Sequence, residues 1–200
     1  MRQGLTRAAI VAAAIEVIDT VGLEKLTMRR LASQVGVEPM SLYHHFPNKA
    51  NLLDAIVDSA AISYATAAKA HLAEHPAAGT SWPTGLQALG TAMRTALLTH
   101  PRLIPLVSTR PASPGTAEEL GEDLLDAMTG AGFSRRDAEY ALQSIVVYVI
   151  GHVLAEAGQT PGAADVPNRS ADQTYYDDWF TLGLTALIEG LSVRKNPPRA

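Results

Sequence analysis

Residues 27–46 read Thr-Met-Arg-Arg-Leu-Ala-Ser-Gln-Val-Gly-Val-Glu-Pro-Met-Ser-Leu-Tyr-His-His-Phe, and this stretch decides the fold. Thr27 has a side-chain oxygen suited to capping a helix. Behind it Met28, Leu31, Ala32 and Val35 fall on one face at helical spacing. Gly36 then takes the turn, where the absence of a Cβ removes the penalty on a left-handed backbone. Three residues on, Pro39 suits the first turn of a second helix, in which its missing N–H is no loss. Two short helices joined by a glycine turn make a helix-turn-helix. Ala32 must be small because the second helix crosses close to it, while Leu31, Val35, Val37 and Leu42 lock the pair together. Glu38, Pro39, Met40, Ser41, Tyr43 and His44 remain at the front of the second helix. Such helices enter the major groove of DNA with their N-terminal residues at the base edges, and the first helix lies over the backbone.

Working outward, Thr6 to Val21 reads as a helix with Ala9, Ile10, Ala13, Ala14, Val17 and Ile18 on its inner stripe and Gly22 at its end. Downstream, Phe46-Pro47-Asn48-Lys49 is a break, and Asn48 caps a long helix reaching about Leu72. Glu74–Pro83 has the composition of a linker. Further helices are expected from Pro83 to about His100-Pro101, over Thr116–Ala131, from Ser134 through Leu154, and from about Asp172 to Leu191. Ala112–Gly115 reads as a loop, and the Pro/Gly/Ala-rich stretch Gly158–Arg169 as a flexible one. Strand signals are almost absent, so the fold class is all-α.

Composition narrows the function. Of 200 residues 47% are hydrophobic, an ordinary globular content, and the absence of cysteine excludes disulfides and thiolate metal sites. No stretch reaches the roughly 18 uncharged apolar residues of a membrane span, and no secretory leader is read at the N-terminus; no membrane partner and a cytoplasmic location are expected. Residues 1–51 carry six basic side chains against four acidic ones, a balance of +2 that leaves −6 for the rest of a chain of net charge −4. A slightly basic head on an acidic body is compatible with DNA binding by the head alone. The rival reading, a helical-bundle enzyme, lacks its parts: no Glu-x-x-His pair for a di-metal site, no nucleophile elbow, no P-loop and no dinucleotide fingerprint. His152 and Glu156 stand four apart, but a single such pair does not make a metal site. No catalytic residue, metal or cofactor is therefore expected.

Residues 6–57 resemble the DNA-binding domain of the TetR (tetracycline-repressor) family. The resemblance rests on Ala-x-x-Val-Ile-Asp-Thr-Val-Gly in the first helix, Leu-Thr-Met-Arg-Arg-Leu-Ala-Ser-Gln-Val-Gly-Val, and Leu-Tyr-His-His-Phe-Pro-Asn-Lys-Ala-Asn-Leu-Leu. Weaker matches follow in Leu-Leu-Thr-His-Pro, Ser-Thr-Arg-Pro at 108–111, Gly-Phe-Ser-Arg-Arg-Asp-Ala-Glu-Tyr-Ala-Leu at 132–142 and Ile-Gly-His-Val-Leu at 150–154, which are similar to the regulatory domain of tetracycline repressors. The resemblance implies a three-helix DNA-binding domain over residues 1–50 and a larger helical effector-binding and dimerisation domain over residues 51–200. It implies a homodimeric repressor that leaves a palindromic double-stranded operator when a small-molecule effector binds. It places Met28, Arg29, Glu38, Pro39, Met40, Ser41, Tyr43, His44, His45 and Lys49 at DNA-contacting positions. Arg29 and Lys49 suit phosphates, Ser41 and Tyr43 can donate to phosphate oxygens, and Pro39 and Met40 suit thymine methyls. Arg29, Glu38 and His44 are the candidates for base edges.

In tetracycline repressors a histidine ahead of the Thr-Arg-Pro segment and a glutamate on the eighth helix hold a magnesium-bound drug. Leu106 and Ala155 stand at those places here, so no metal–tetracycline site is expected. Met93, Leu97, Leu106, Thr109, Tyr148 and His152 are the effector-pocket candidates, suited to a mostly apolar ligand with a few polar anchors. For Tyr148 and His152, four apart on an apolar helix, core packing or a dimer contact explains the pattern equally well.

Overall fold

The computed structural model of the chain describes residues 5–74, 81–158 and 173–194. Every regular element among them is helical: α1 (Arg7–Val21), α2 (Met28–Val35), α3 (Pro39–Tyr43), α4 (Lys49–Glu74), α5 (Trp82–Thr99), α6 (Ile104–Thr109), α7 (Pro114–Gly130), α8 (Arg135–Glu156) and α9 (Gln173–Arg194).

Local chemistry sets most boundaries. The first N–H groups of a helix lack intrahelical partners, and short polar side chains supply them. Thr6 Oγ1 accepts from the Ala9 N–H at 3.1 Å, Thr27 Oγ1 from Arg30 at 3.1 Å, Asn48 Oδ1 from Asn51 at 3.0 Å, and Ser134 Oγ from Asp137 at 3.1 Å. Between α2 and α3 the chain turns at Gly36, whose φ of +70° lies in the left-handed region. The Val37 N–H returns to the Ala32 carbonyl at 3.0 Å, so the glycine closes the helix and redirects the chain in one step.

The chain forms two compact units. The first takes the described residues up to Ile62 together with His100–Ala117. Its core joins Ile10, Val11, Ala14, Val17 and Ile18 of α1 to Leu31 and Ala32 of α2, Leu42 of α3, Phe46 of the segment that follows, Leu52 and Ile56 of α4, and Leu103 and Leu106. Val11 is buried where the spacing favoured Ala9, which is exposed. The stretch 100–117 is fixed by polar ties as well. His100 Nδ1 lies 2.6 Å from Asp19 Oδ2, and Arg102 donates to the carbonyls of Asp19 and Thr20 at 3.1 and 2.7 Å, at the end of α1. Arg110 bonds Asp54, and Asp58 accepts the Ser113 N–H at 2.7 Å, both carboxylates being on α4.

The second unit takes the described residues of Ser63–Thr99 and those from Glu118 on. Here α5, α8 and α9 pack on one another through Leu86, Met93, Leu97, Ile145, Val149, Val153, Phe180 and Leu184, all buried. Trp82 meets Phe133 edge-on with ring centroids 5.0 Å apart. Helix α8 is long and apolar enough to cross a membrane by length and composition, with a mean hydropathy of 1.4 in its most apolar window. Its apolar side chains divide instead between a buried row and an exposed one that includes Tyr140 and Val147.

Four differences from the sequence reading stand out. A 3₁₀ turn covers Leu23–Lys25. Another, at Pro101–Leu103, leads directly into α6, where no helix is expected. Pro101 and Pro105 each sit in a first turn, where proline does not interrupt a helix. Helices α4 and α9 extend two or three residues beyond the expected ends, and α7 starts two residues early and stops one short. The compact units also divide the chain differently from a cut after residue 50, because 51–62 and 100–117 pack with the N-terminal helices. The stretch Gly158–Arg169, apart from Gly158, lies outside the described residues, as does 75–80 of the linker.

Candidate nucleic-acid interface

Helix α3 has five residues, too few to be stable by backbone hydrogen bonding alone. Its single buried side chain is Leu42, which is fully inaccessible in the core of the first unit. Everything else on α3 faces outward or stands at the edge: Met40 is 67% exposed, Tyr43 41%, and Pro39 and Ser41 are half-buried. Glu38 precedes the helix and His44 follows it, both exposed. Seven of the ten proposed DNA contacts, Glu38 to Ser41 and Tyr43 to His45, therefore come from one short, outward-facing segment anchored by one leucine.

Helix α2 adds a second exposed row. Arg29, Arg30, Ser33 and Gln34 line a shallow open hollow with the capping residue Thr27. Two cations on a capped helix end suit a phosphate backbone, because long-range attraction to phosphate needs no base identity. Lys49, half-buried, opens α4 immediately after the cap Asn48. Met28 departs from the expectation: its side chain is 8% exposed and belongs to the core of the unit. It is the inward member of the same i, i+3 row as Leu31.

The effector candidates divide between the two units. Leu106, 3% exposed, is part of the first unit's core, and the Thr109 hydroxyl donates to the Pro105 carbonyl at 2.7 Å within α6. Met93, Leu97, Tyr148 and His152 belong to the second unit. There Tyr148 Oη lies 2.9 Å from the Phe180 carbonyl and 3.2 Å from that of Trp179, and a Cβ on Gly183 would overlap the phenol ring. Glycine at 183 is what allows that ring to lie on α9. The His152 side chain is 1% exposed and ringed by aromatics: centroid distances are 4.6 Å to Trp179 and 5.1 Å to Phe180.

Beside it lies an ionic cluster that the sequence reading missed. Arg94 of α5 grips Glu156 of α8 with two hydrogen bonds, 2.9 and 2.7 Å, and Asp177 of α9 at 2.5 Å, while Gln173 donates to Glu156 at 2.7 Å and to Asp177 at 3.2 Å. The Arg94 side chain is 14% exposed and that of Glu156 5%. Burial works against both charges, yet their mutual bonds outweigh it: Arg94 is held above its ordinary pKa and Glu156 below its own. His152 Nε2 is 3.3 Å from Glu156 Oε2 without hydrogen-bond alignment, and burial, more than any neighbouring charge, pushes the imidazole pKa down. No group of three or more His, Asp or Glu side chains placed to hold a metal ion occurs among the described residues. The linear signals for this cluster were an arginine beside the inward Met93 of α5 and Glu156 four residues from His152; nothing in the sequence joins them, since the partners of Arg94 are 62 and 83 residues away.

Known proteins share both halves of this arrangement. Residues 10–56 match the family model described as "Bacterial regulatory proteins, tetR family", and residues 75–171 match "Tetracyclin repressor-like, C-terminal domain". The class C tetracycline repressor protein of Escherichia coli is 36% identical over 170 residues, covering 84% of this chain and 73% of that protein. Among solved structures, a TetR from Acinetobacter baumannii AYE in complex with minocycline superposes with a TM-score of 0.72 at 28% identity, over 97% of this chain and 100% of that one. BioQ with its natural double-stranded DNA operator superposes with a TM-score of 0.66 at 30% identity, over 95% and 99%.

Proposed function

The chain belongs to the TetR family of bacterial regulatory proteins, and from that premise we propose that it is a homodimeric transcriptional repressor, released from a palindromic operator by a mostly apolar small molecule. The observation that carries the DNA half of this reading is α3 itself: one buried leucine, with every other side chain of the helix facing solvent or at its edge. Relatives solved with an operator and with minocycline support binding of both kinds of partner in this family. The relatives are named as repressors, which supports a regulatory and not a catalytic role. A cytoplasmic location follows from work on DNA.

Dimerisation rests on α8 and α9. Tyr140 and Val147 on α8 are 62% and 59% exposed, and Trp179 and Leu182 on α9 are 41% and 72% exposed. Apolar side chains in rows along two adjacent helices suit a second copy of the same face. In the dimer the two α3 helices then read half-sites about 34–36 Å apart, one turn of DNA. An effector that prefers the DNA-incompetent form shifts the population, and a few kcal/mol of differential affinity is enough. Ala155 in place of a chelating glutamate favours an effector held without magnesium, with His152 and Tyr148 of the second unit as polar anchors.

Selection of duplexes from a random pool at moderate salt tests the reading. The expected product is a palindrome with half-sites about one turn apart. On it, Tyr43→Ala and Lys49→Ala weaken binding to every sequence, while Glu38→Ala changes the preferred bases. A folded dimer that enriches nothing, with or without cell extract, defeats the proposal.

A further inference from the structure

A five-residue helix pinned by one side chain can pivot about it. Leu42 fixes the depth of α3 but not its pitch, and the two ends must settle that. The N-terminal end is set by the Gly36 turn, through the Val37 N–H bonded to the Ala32 carbonyl at 3.0 Å. At the far end, the N–H groups of His45 and Phe46 both return to the Leu42 carbonyl, at 3.0 and 2.9 Å, and Phe46 is fully buried. Closing this end from outside is Arg7, the first residue of α1. Its Nη1 donates to the His45 carbonyl, and its guanidinium lies over the Phe46 ring, 4.2 Å from the centroid.

These two contacts need an arginine. The planar guanidinium offers a face to the aromatic ring and N–H donors in its own plane to the carbonyl, whereas a lysine ammonium satisfies one at a time. The carbonyl is at the C-terminal end of α3, where a positive charge is favoured. Thr6 caps α1 just before Arg7, which fixes the backbone the side chain springs from.

Resting on the DNA-binding reading, we propose that Arg7 is a positioning residue for sequence recognition: it sets the pitch of α3 in the groove through the His45 carbonyl and the Phe46 ring, without itself holding a phosphate. Base readout depends on that pitch more than phosphate attraction does, because bidentate contacts to base edges tolerate little rotation. Arg7 therefore acts on discrimination, not on general affinity.

The test uses the full chain with Arg7→Gln and Arg7→Lys, on a duplex selected by the parent and on an unrelated duplex of equal length, from 50 to 200 mM salt. Thermal melting and titration at stoichiometric concentrations establish the folded, active fraction. The expected result for Arg7→Gln is a loss of about tenfold on the selected duplex and little change on the unrelated one, at an unchanged salt slope. Arg7→Lys should recover part of the loss, and should serve alone if Arg7→Gln does not fold. A structural role would lower the active fraction equally on both duplexes and leave their ratio untouched, which overturns the proposal. A uniform loss with the logarithmic salt slope reduced by about 0.9 makes Arg7 a phosphate contact and overturns it too. If the parent selects no duplex, the DNA-binding reading fails and the proposal falls with it; if the parent selects one and the variants match it, only the role of Arg7 fails.

Discussion

Arginine serves in opposite ways at Arg29 and Arg30 of the first unit and at Arg94 of the second. In the first, Arg29 and Arg30 stand exposed on α2. In the second, Arg94 is buried to 14% exposure and bonded to carboxylates from two other helices. A cation in water loses little when its neighbours change, and it remains free for a partner such as phosphate. A cation withdrawn from water must be matched on the spot, and removing either partner strands the other. The same residue type is thus left open to a partner on α2 and built into the scaffold at Arg94, as it is at Arg102 and Arg110 of the first unit.

The strongest break in this comparison is Arg94→Ala. Glu156, 5% exposed, then keeps a buried charge with its main partner gone, and a loss of about 3–5 kcal/mol in stability is expected from urea unfolding of the full chain. Arg29→Ala should change stability by less than about 0.5 kcal/mol while weakening DNA binding at low salt. The double variant Arg94→Met, Glu156→Leu removes both charges and should recover most of the loss. If Arg94→Ala and Arg29→Ala prove equally stable, the contrast between buried and exposed arginines is void.

A smaller effect sharpens the comparison inside α3. Leu42 is fully buried and Met40 is 67% exposed, two residues apart on one short helix. Leu42→Ala should cost about 2–4 kcal/mol, since the cavity it leaves is ringed by core residues of α1, α2 and α4. Met40→Ala should stay within about 0.5 kcal/mol and show its effect only on DNA. Equal unfolding midpoints would mean that α3 is not held by its leucine.

The contrast also explains what the sequence could reveal. The head is built from local rules. Thr6, Thr27 and Asn48 each cap the helix that follows, Gly36 carries the turn, and Pro39 opens α3, so a reader of adjacent residues recovers α1 to α4 closely. Even there, Met28, placed among the DNA-contacting positions by resemblance, has a buried side chain, as its spacing to Leu31 already marks. Helix α6 escapes because six residues are too few to show a period and because Pro101 and Pro105 look like breakers when they are starters. The Arg94 cluster is invisible for a different reason: its four members lie at 94, 156, 173 and 177, and only the packing of three helices brings them together. Apolar spacing did draw attention to Tyr148 and His152, and it could not distinguish a ligand contact from the aromatic packing in which both are found.

The buried histidine yields the gentlest test of the comparison, because it is probed by pH and not by deletion. Burial first, and Arg94 in addition, disfavour the charged imidazole, against the opposing pull of Glu156; the net shift is downward from the ordinary value of 6.5. The unfolded chain then binds a proton that the native second unit resists. The stabilising contribution is complete above the unfolded pKa and is lost as pH falls below 6.5 toward the native value. The Glu156 carboxylate, also shifted down, adds a loss of the same sign at lower pH, below its ordinary 4.5. Tyr148, Tyr176, Trp179 and Phe180 surround the imidazole with rings, so the charges that bear on it are those of Glu156, Arg94 and Asp177. Unfolding free energies measured at pH 7.5 and 5.5 should therefore fall on acidification, and fall less in His152→Gln, whatever that variant does to stability at pH 7.5. An identical drop in both proteins would mean that His152 can take up its proton without leaving its place, and that the second unit is less closed around it than its 1% exposure implies.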